Sequence, residues 1–504
     1  MNRSTPPTLR RRSLPVMGLA AAAVTGIVPA AGAVPSAPAS PTLEDPAEVL
    51  RRMRVPQGAA TTAGPVWSPR ATGFAGVATD SHPRGTVGGL GARPVTVRSA
   101  AELTAALLAP APRILLVDGR IDLPFGTMVD IPSRTSILGL GTGAEIVGGG
   151  FRLPSVDDVI LRNLLFRDSF IAGDWDGKSE ENDNDGIRVD TSDHIWIDHC
   201  EFARLGDGQV DIRKDSTHVT VSWCLLRDHD KTLGVGWTDN VLTTLTIHHT
   251  RFSNTHQRNG SIDNVALCHV HCCWLEGVSS YGMASRGASQ LLVEHSVFDT
   301  VRNPIGVSDP ESRVAQNGNL REGCWGSWED TSIDLDPADC YDYALDPVEE
   351  VRSLLTRHAG PHGSTERVPR RIDVAQDGSG DVLSVHAAVG AAARAAHPVE
   401  IRVHPGTYRE VVTVWPGAEG LVIRGATGRP EDVVLTYDKP ADDWATLTVL
   451  APDVTLAALT LENAFERADG DERPAAPLRS ADDSLRLQDV RLVGGEHWIS
   501  DPRD

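Results

Sequence analysis

Between Leu164 and Ser296 one pattern returns at a period too short for a domain and too regular for loops. Six segments superimpose: Arg162–Phe166, Asp198–Phe202, Ser222–Leu226, His248–Phe252, His271–Leu275 and Glu294–Phe298. Aligned on Leu164, Cys200, Cys224, Thr250, Cys273 and Ser296, they are spaced by 36, 24, 26, 23 and 23 residues, the first interval stretched by a polar insert around Gly173 to Asn184. Alternating apolar residues precede each segment, and Gly, Asn and Asp fill the intervals, so the repeating unit is a strand. Strands recurring at this length stack into a solenoid, a parallel β-helix of all-β class. Equivalent residues on neighbouring coils then lie one strand spacing apart, roughly 4.8 Å. An antiparallel sandwich is the competing architecture, but it gives no reason for aligned positions to repeat in character.

At 504 residues the chain has length for more than one domain. Arg10, Arg11 and Arg12, the apolar stretch from Leu14 to Val28 and Ala31–Ala33 together read as a signal peptide over 1–33, with a possible twin-arginine signature interrupted by Pro15. Secretion to the extracellular space follows. Residues 34–70, rich in Pro, Ala, Ser and Thr, read as a linker. With 47 Lys and Arg against 68 Asp and Glu, the net charge of -21 argues against nucleic acid or, once the signal is removed, a membrane as partner. If the substrate is a polyanion, local cations or a bound metal must override that charge.

Seven cysteines in an exported chain allow three disulfides with one left over, Cys324 and Cys340 being the best-placed pair. Cys200, Cys224 and Cys273 share a repeat position, where stacked buried thiols and bridges are both open. Adjacent Cys272 and Cys273 face opposite ways if on a strand, which argues against zinc.

Asp183 and Asp185 precede the strand Ile195–His199, and the next turn supplies Asp207 and Asp211. Four carboxylates meeting across two coils suit Ca²⁺, a hard cation that takes six to eight oxygen ligands; singly, each is an ordinary turn residue. Downstream come Val219–Cys224, His229–Lys231 and Asn254–Arg258. Together with Trp196–His199 these segments resemble the pectate lyase family of polysaccharide lyases, over about residues 74–350. The resemblance implies a right-handed parallel β-helix and Ca²⁺ held by Asp185, Asp207 and Asp211, with Asp183 an additional ligand. It also implies that Lys231 grips a substrate carboxylate and that Arg258 removes the C5 proton of a galacturonate, while Asp198 and His199 are structural. The substrate implied is polygalacturonate, cleaved by β-elimination to 4,5-unsaturated oligogalacturonates by a protein expected to be a monomer.

Guanidinium normally stays protonated, so Arg258 is either a base working at alkaline pH or a permanently charged clamp. The family's R-x-P-x-x-R pattern is broken here: Arg258 is followed by Gly260, with Asp263 where the second arginine would stand. Arg286 on the following coil is the candidate replacement for substrate binding.

After a connection over 358–371, the pattern restarts. Ile372–Asp381, an Ala-rich segment from Leu383 to Ala396 and Val399–Glu410 resemble the start of pectin methylesterases, including their G-x-Y-x-E segment. The expected catalytic glutamines are missing near Pro474–Leu478 and Gly494–Trp498, so residues 372–504 read as a truncated esterase-like β-helix, with Tyr408 and Glu410 as sugar contacts or plain packing. The lyase-like part spans 71–357. Competing whole-protein readings are a metal-independent hydrolase using paired aspartates, a non-catalytic pectin-binding protein and a bifunctional lyase with residual esterase activity.

Overall fold

The computed structural model describes residues 45–179, 182–363, 367–440, 445–466, 473–495 and 498–499. The proposed signal peptide and the start of the linker lie outside them. All described residues belong to one compact unit, Thr42–Asp504.

The repeat builds a parallel β-solenoid. Among the described residues, its coils contribute to a 13-stranded and a 10-stranded sheet. Phe166, Phe202, Leu226, Phe252, Leu275 and Phe298 stand in register on successive coils, all fully buried. The six residues used to align the repeat are likewise inaccessible. Immediately before each stands a residue in the left-handed conformation: Asn163, His199, Trp223, His249, Cys272 and His295, with φ from 43° to 60°. That bend turns the chain from one sheet into the next. Left-handed geometry costs a non-glycine residue roughly 1–2 kcal/mol, offset at three of these corners by ring stacking: Trp67 on His199 (3.6 Å between centroids), and Trp223 on His249 (4.2 Å).

Residues 46–70 are not a linker. Pro46–Met53 is a helix whose Asp45 side chain accepts from the Ala47 amide, and Leu50, Met53, Val55, Val66 and Trp67 bury against the solenoid. Residues 358–363 also pack rather than span. The Val348–His358 helix ends at Ala359, after which the Gly360 amide donates to the Trp223 carbonyl and the His362 amide to Asn163.

All seven cysteines are unbonded, which corrects the expected Cys324–Cys340 bridge. Cys324 turns its thiol to the Phe298 carbonyl at 3.3 Å, while Cys340 is exposed. Cys200, Cys224 and Cys273 are buried core thiols, and Cys272 and Cys273 do enter different clusters.

Beyond residue 370 the strands pair in parallel in separate 7-stranded and 4-stranded sheets around their own core. Arg394 pairs with buried Asp228 at 2.7 Å, His386 and Trp415 bond Asn254, and Arg409 and Lys439 both reach Asp176 at 2.8 Å. These contacts seat the C-terminal part on the solenoid.

Candidate active site

Three consecutive strands of the 13-stranded sheet, Ile187–Asp190, Gly208–Arg213 and Leu225–Gly236, place Arg188, Asp211 and Gly234 side by side. The strand Arg251–Asp263 follows, with Gln257 beside Lys231. Because strand residues alternate in direction, Val210 and Ile212 enter the core while Asp211 faces outward.

Asp185 and Asp211 are buried together. Asp185 accepts from the Gly208 amide at 2.7 Å, whereas Oδ1 of Asp211 has no hydrogen-bond partner. A β-carbon at Gly208 would sit 2.6 Å from that oxygen and 3.1 Å from Oδ1 of Asp185; one at Gly234 would sit 3.1 Å from the Asp211 oxygen. Two glycines therefore keep a space open around the carboxylates. Burial and the neighbouring Asp185 push the Asp211 carboxyl well above its ordinary range. Burial also raises Asp185, against the pull of Arg188. Crowded carboxylates with one oxygen left unbonded suit a hard cation, so Asp185, Asp211 and the partly exposed Asp207 fit calcium.

Asp183 is placed differently. Its side chain is 78% exposed and pairs with Arg188 at 2.6 Å, while the same guanidinium reaches Asp185 at 2.5 Å. The bond from Arg188 holds Asp183 below the usual carboxylate range. Burial works against the charge on Arg188, but bonds to both aspartates hold it protonated. Arg188, a resident cation among the acidic residues, was not anticipated from sequence, although its place one residue past a buried strand position marks it as outward-facing.

Lys231, almost wholly buried, forms an ion pair with Asp207. His229 donates from Nε2 to the Asp207 carbonyl at 2.6 Å, and burial lowers its imidazole to about 4, so it is a neutral support. Arg258 is half-buried in the left-handed conformation, its guanidinium 5.5 Å from the ring centre of Trp237; Arg213 lies 5.6 Å from the same ring. Trp237, 46% exposed, is a second residue that the sequence reading missed. Its signal was an aromatic residue in a polar turn. Arg286 is exposed and sits in register with Asp263, at the end of the strand that carries Arg258. Asp198 is enclosed by Arg162, His199 and Ser222 and is structural.

The sequence profile of the family described as "Pectate lyase" matches residues 53–364. The chain belongs to the pectate lyase family. The pectate trisaccharide-lyase of Thermotoga maritima is 35% identical over 324 residues, covering 57% of this chain and 87% of the relative. Pectate lyase A of Emericella nidulans is 31% identical over 289 residues, covering 55% and 83%. Among solved structures, the pectate lyase of Bacillus sp. N165 in complex with trigalacturonate superimposes with a TM-score of 0.50 at 23% identity, covering 58% of this chain and 99% of that one. A pectate lyase from Acidovorax avenae subsp. citrulli gives 0.50 at 21% identity, covering 61% and 96%. These likenesses establish the fold. The profile match also includes residues 53–70, about half of the segment 34–70 that composition alone assigns to a linker.

Proposed function

We propose that this pectate lyase family member is a calcium-dependent enzyme that cleaves de-esterified homogalacturonan by β-elimination. The observation that carries this reading is the partnerless Asp211 oxygen beside Asp185, with Lys231 and Arg258 supplied by the next two coils. Asp185, Asp207 and Asp211 would hold the ion, and Ca²⁺ when bound supplies positive charge against a uronate carboxylate. Lys231, released from Asp207, adds a second cation for that carboxylate. C5–H is acidic because it lies α to the carboxylate. Arg258 in its neutral form takes this proton, the C–H electron pair becomes the C4–C5 double bond, and the C4–O bond breaks with its pair leaving on oxygen. That requirement places the working range at alkaline pH. Trp237 braces Arg258 and offers an exposed face to a sugar ring.

Polygalacturonate incubated with wild type and Arg258→Ala, with and without Ca²⁺, tests the proposal through the ultraviolet absorbance of the unsaturated product. Wild type with Ca²⁺ gives product, and either removal abolishes it. Equal product from both proteins removes Arg258 from the mechanism. The name of the Thermotoga relative supports release of trisaccharides, which product sizing on oligogalacturonates resolves. Export by the N-terminal segment belongs to the same proposal.

We read the part beyond residue 370 as a degenerate esterase-like module with a structural role. Tyr408 is buried with its hydroxyl donating to the His404 carbonyl at 2.9 Å, and Glu410 accepts from the Val385 and His386 amides. Both side chains are thus committed to internal contacts. Methanol release from methylated pectin by the full chain with Arg258→Ala would overturn this reading.

A further inference from the structure

Outside the cleft, a strap of chain from Phe74 to Gly89 runs along the 10-stranded sheet. It is tied by amides of Phe74 to Thr246, Ala75 to Thr220, Val87 to Asp158 and Gly89 to Ser136. His82, midway along, stacks on His194 with ring centres 4.1 Å apart. Two bonds orient the pair. Nε2 of His194 faces the Val77 carbonyl at 3.0 Å, and Nε2 of His82 faces the Asp157 carboxylate at 3.0 Å. A carbonyl only accepts, so Nε2 of His194 carries the hydrogen and Nδ1 of the neutral ring is a lone pair; the same logic holds for His82 against a carboxylate.

Both Nδ1 atoms then point at Asp193. Nδ1 of His194 lies 3.0 Å from Oδ1, and Nδ1 of His82 lies 3.8 Å from Oδ2. His194 is fully buried and its Nδ1 has no hydrogen-bond partner. Three basic atoms converge, all within 4.8 Å of one another; the Ser81 hydroxyl donates to Nδ1 of His82 and His218 to Asp193, but nothing donates to the buried Nδ1 of His194. A lone pair at 3.0 Å from a carboxylate oxygen calls for a proton or a cation between Nδ1 of His194 and Asp193.

We propose that Nδ1 of His82, Nδ1 of His194 and the Asp193 carboxylate form a zinc-class metal site that fastens the strap to the solenoid. Imidazole and carboxylate are zinc's ordinary nitrogen and oxygen donors, and its bond lengths put ligand atoms about 3.3 Å apart in a tetrahedron, between the two separations seen. The Val77 carbonyl and Asp157 already occupy the outer positions that orient metal-bound histidines. His218, stacked on His194 with ring centres 4.6 Å apart, donates to the same Oδ1 of Asp193 at 2.7 Å and steadies the carboxylate. The Ser81 hydroxyl, 3.1 Å from Nδ1 of His82 and exposed, rotates away on binding. Asp193 opens the strand after Ile187–Asp190, so the metal braces the coil that carries Arg188 without entering the cleft.

The test titrates chelator-stripped full-length protein with Zn²⁺ in Ca²⁺-free buffer by calorimetry, and with Co²⁺ by visible absorption. The expected result is one Zn²⁺ per chain with a rise in unfolding temperature, weakened about 100-fold or more in both His82→Ala and His82→Gln and unchanged in Cys272→Ser. No stoichiometric Zn²⁺ on wild type overturns the proposal and leaves a protonated His194 as the occupant. Binding that survives both His82 variants but is lost in Cys272→Ser overturns it in favour of the buried group His249, His271 and Cys272.

Discussion

Asp211 and Trp237 show how single residues define this site. Nothing in the order of Asp207–Asp211 says which carboxylate lacks a partner; that emerges only when Gly208 and Gly234 are seen to leave its oxygen uncovered. Gly234→Ala is expected to weaken Ca²⁺ binding, read by calorimetry, while leaving secondary structure intact by circular dichroism. Trp237 holds Arg213 and Arg258 over its ring at 5.6 and 5.5 Å. Contacts of this kind at an exposed site contribute about 1 kcal/mol, so Trp237→Ala should lower kcat/KM about fivefold with an unchanged unfolding temperature. The Asp, Lys and Arg candidates were legible because their spacing follows the coil period. Arg188 was not, because a cation inside an acidic cluster contradicts the simplest expectation for a metal site.

At the scale of the element, the strands were readable and two helices were not equally so. The Ala-rich helix Val385–Ala393 follows from composition. The Pro46–Met53 helix was hidden by surrounding Pro and Ala, although Asp45, Pro46 and Glu48 make an N-terminal signature with cap, first-turn proline and acid. The left-handed corners of the solenoid were also invisible, since no residue type marks them. Glu410 sits at the start of the Val385–Ala393 helix, where burial raises its carboxyl to about 7. The folded state therefore holds this proton more tightly than the unfolded chain. Its contribution is greatest below about 4.5 and is lost as pH rises to about 7, on the order of 3 kcal/mol. Urea unfolding of wild type should show this decline between pH 5 and 7, and Glu410→Gln should flatten it.

For the molecule as a whole, docking of the C-terminal part depends on a close approach that sequence does not reveal. A β-carbon at Gly390 would lie 2.0 Å from Asp228 and 2.1 Å from Asn254, both buried. Helix propensity alone would make Gly390→Ala stabilising by about 1 kcal/mol. Overpacking reverses the sign, and a loss of about 2 kcal/mol is expected, with calorimetry resolving an earlier transition for the C-terminal part. The unbonded cysteines carry a different consequence. Burial pushes the Cys272 thiol up to about 12 and Cys324 to about 11, while Cys340 alone of the seven is exposed. In the native protein one thiol should react promptly with a maleimide. Cys200 and Cys224 lie on adjacent coils and Cys268 and Cys273 share a coil two further along, so the order in which they become labelled in rising denaturant is a built-in record of where the solenoid first comes apart.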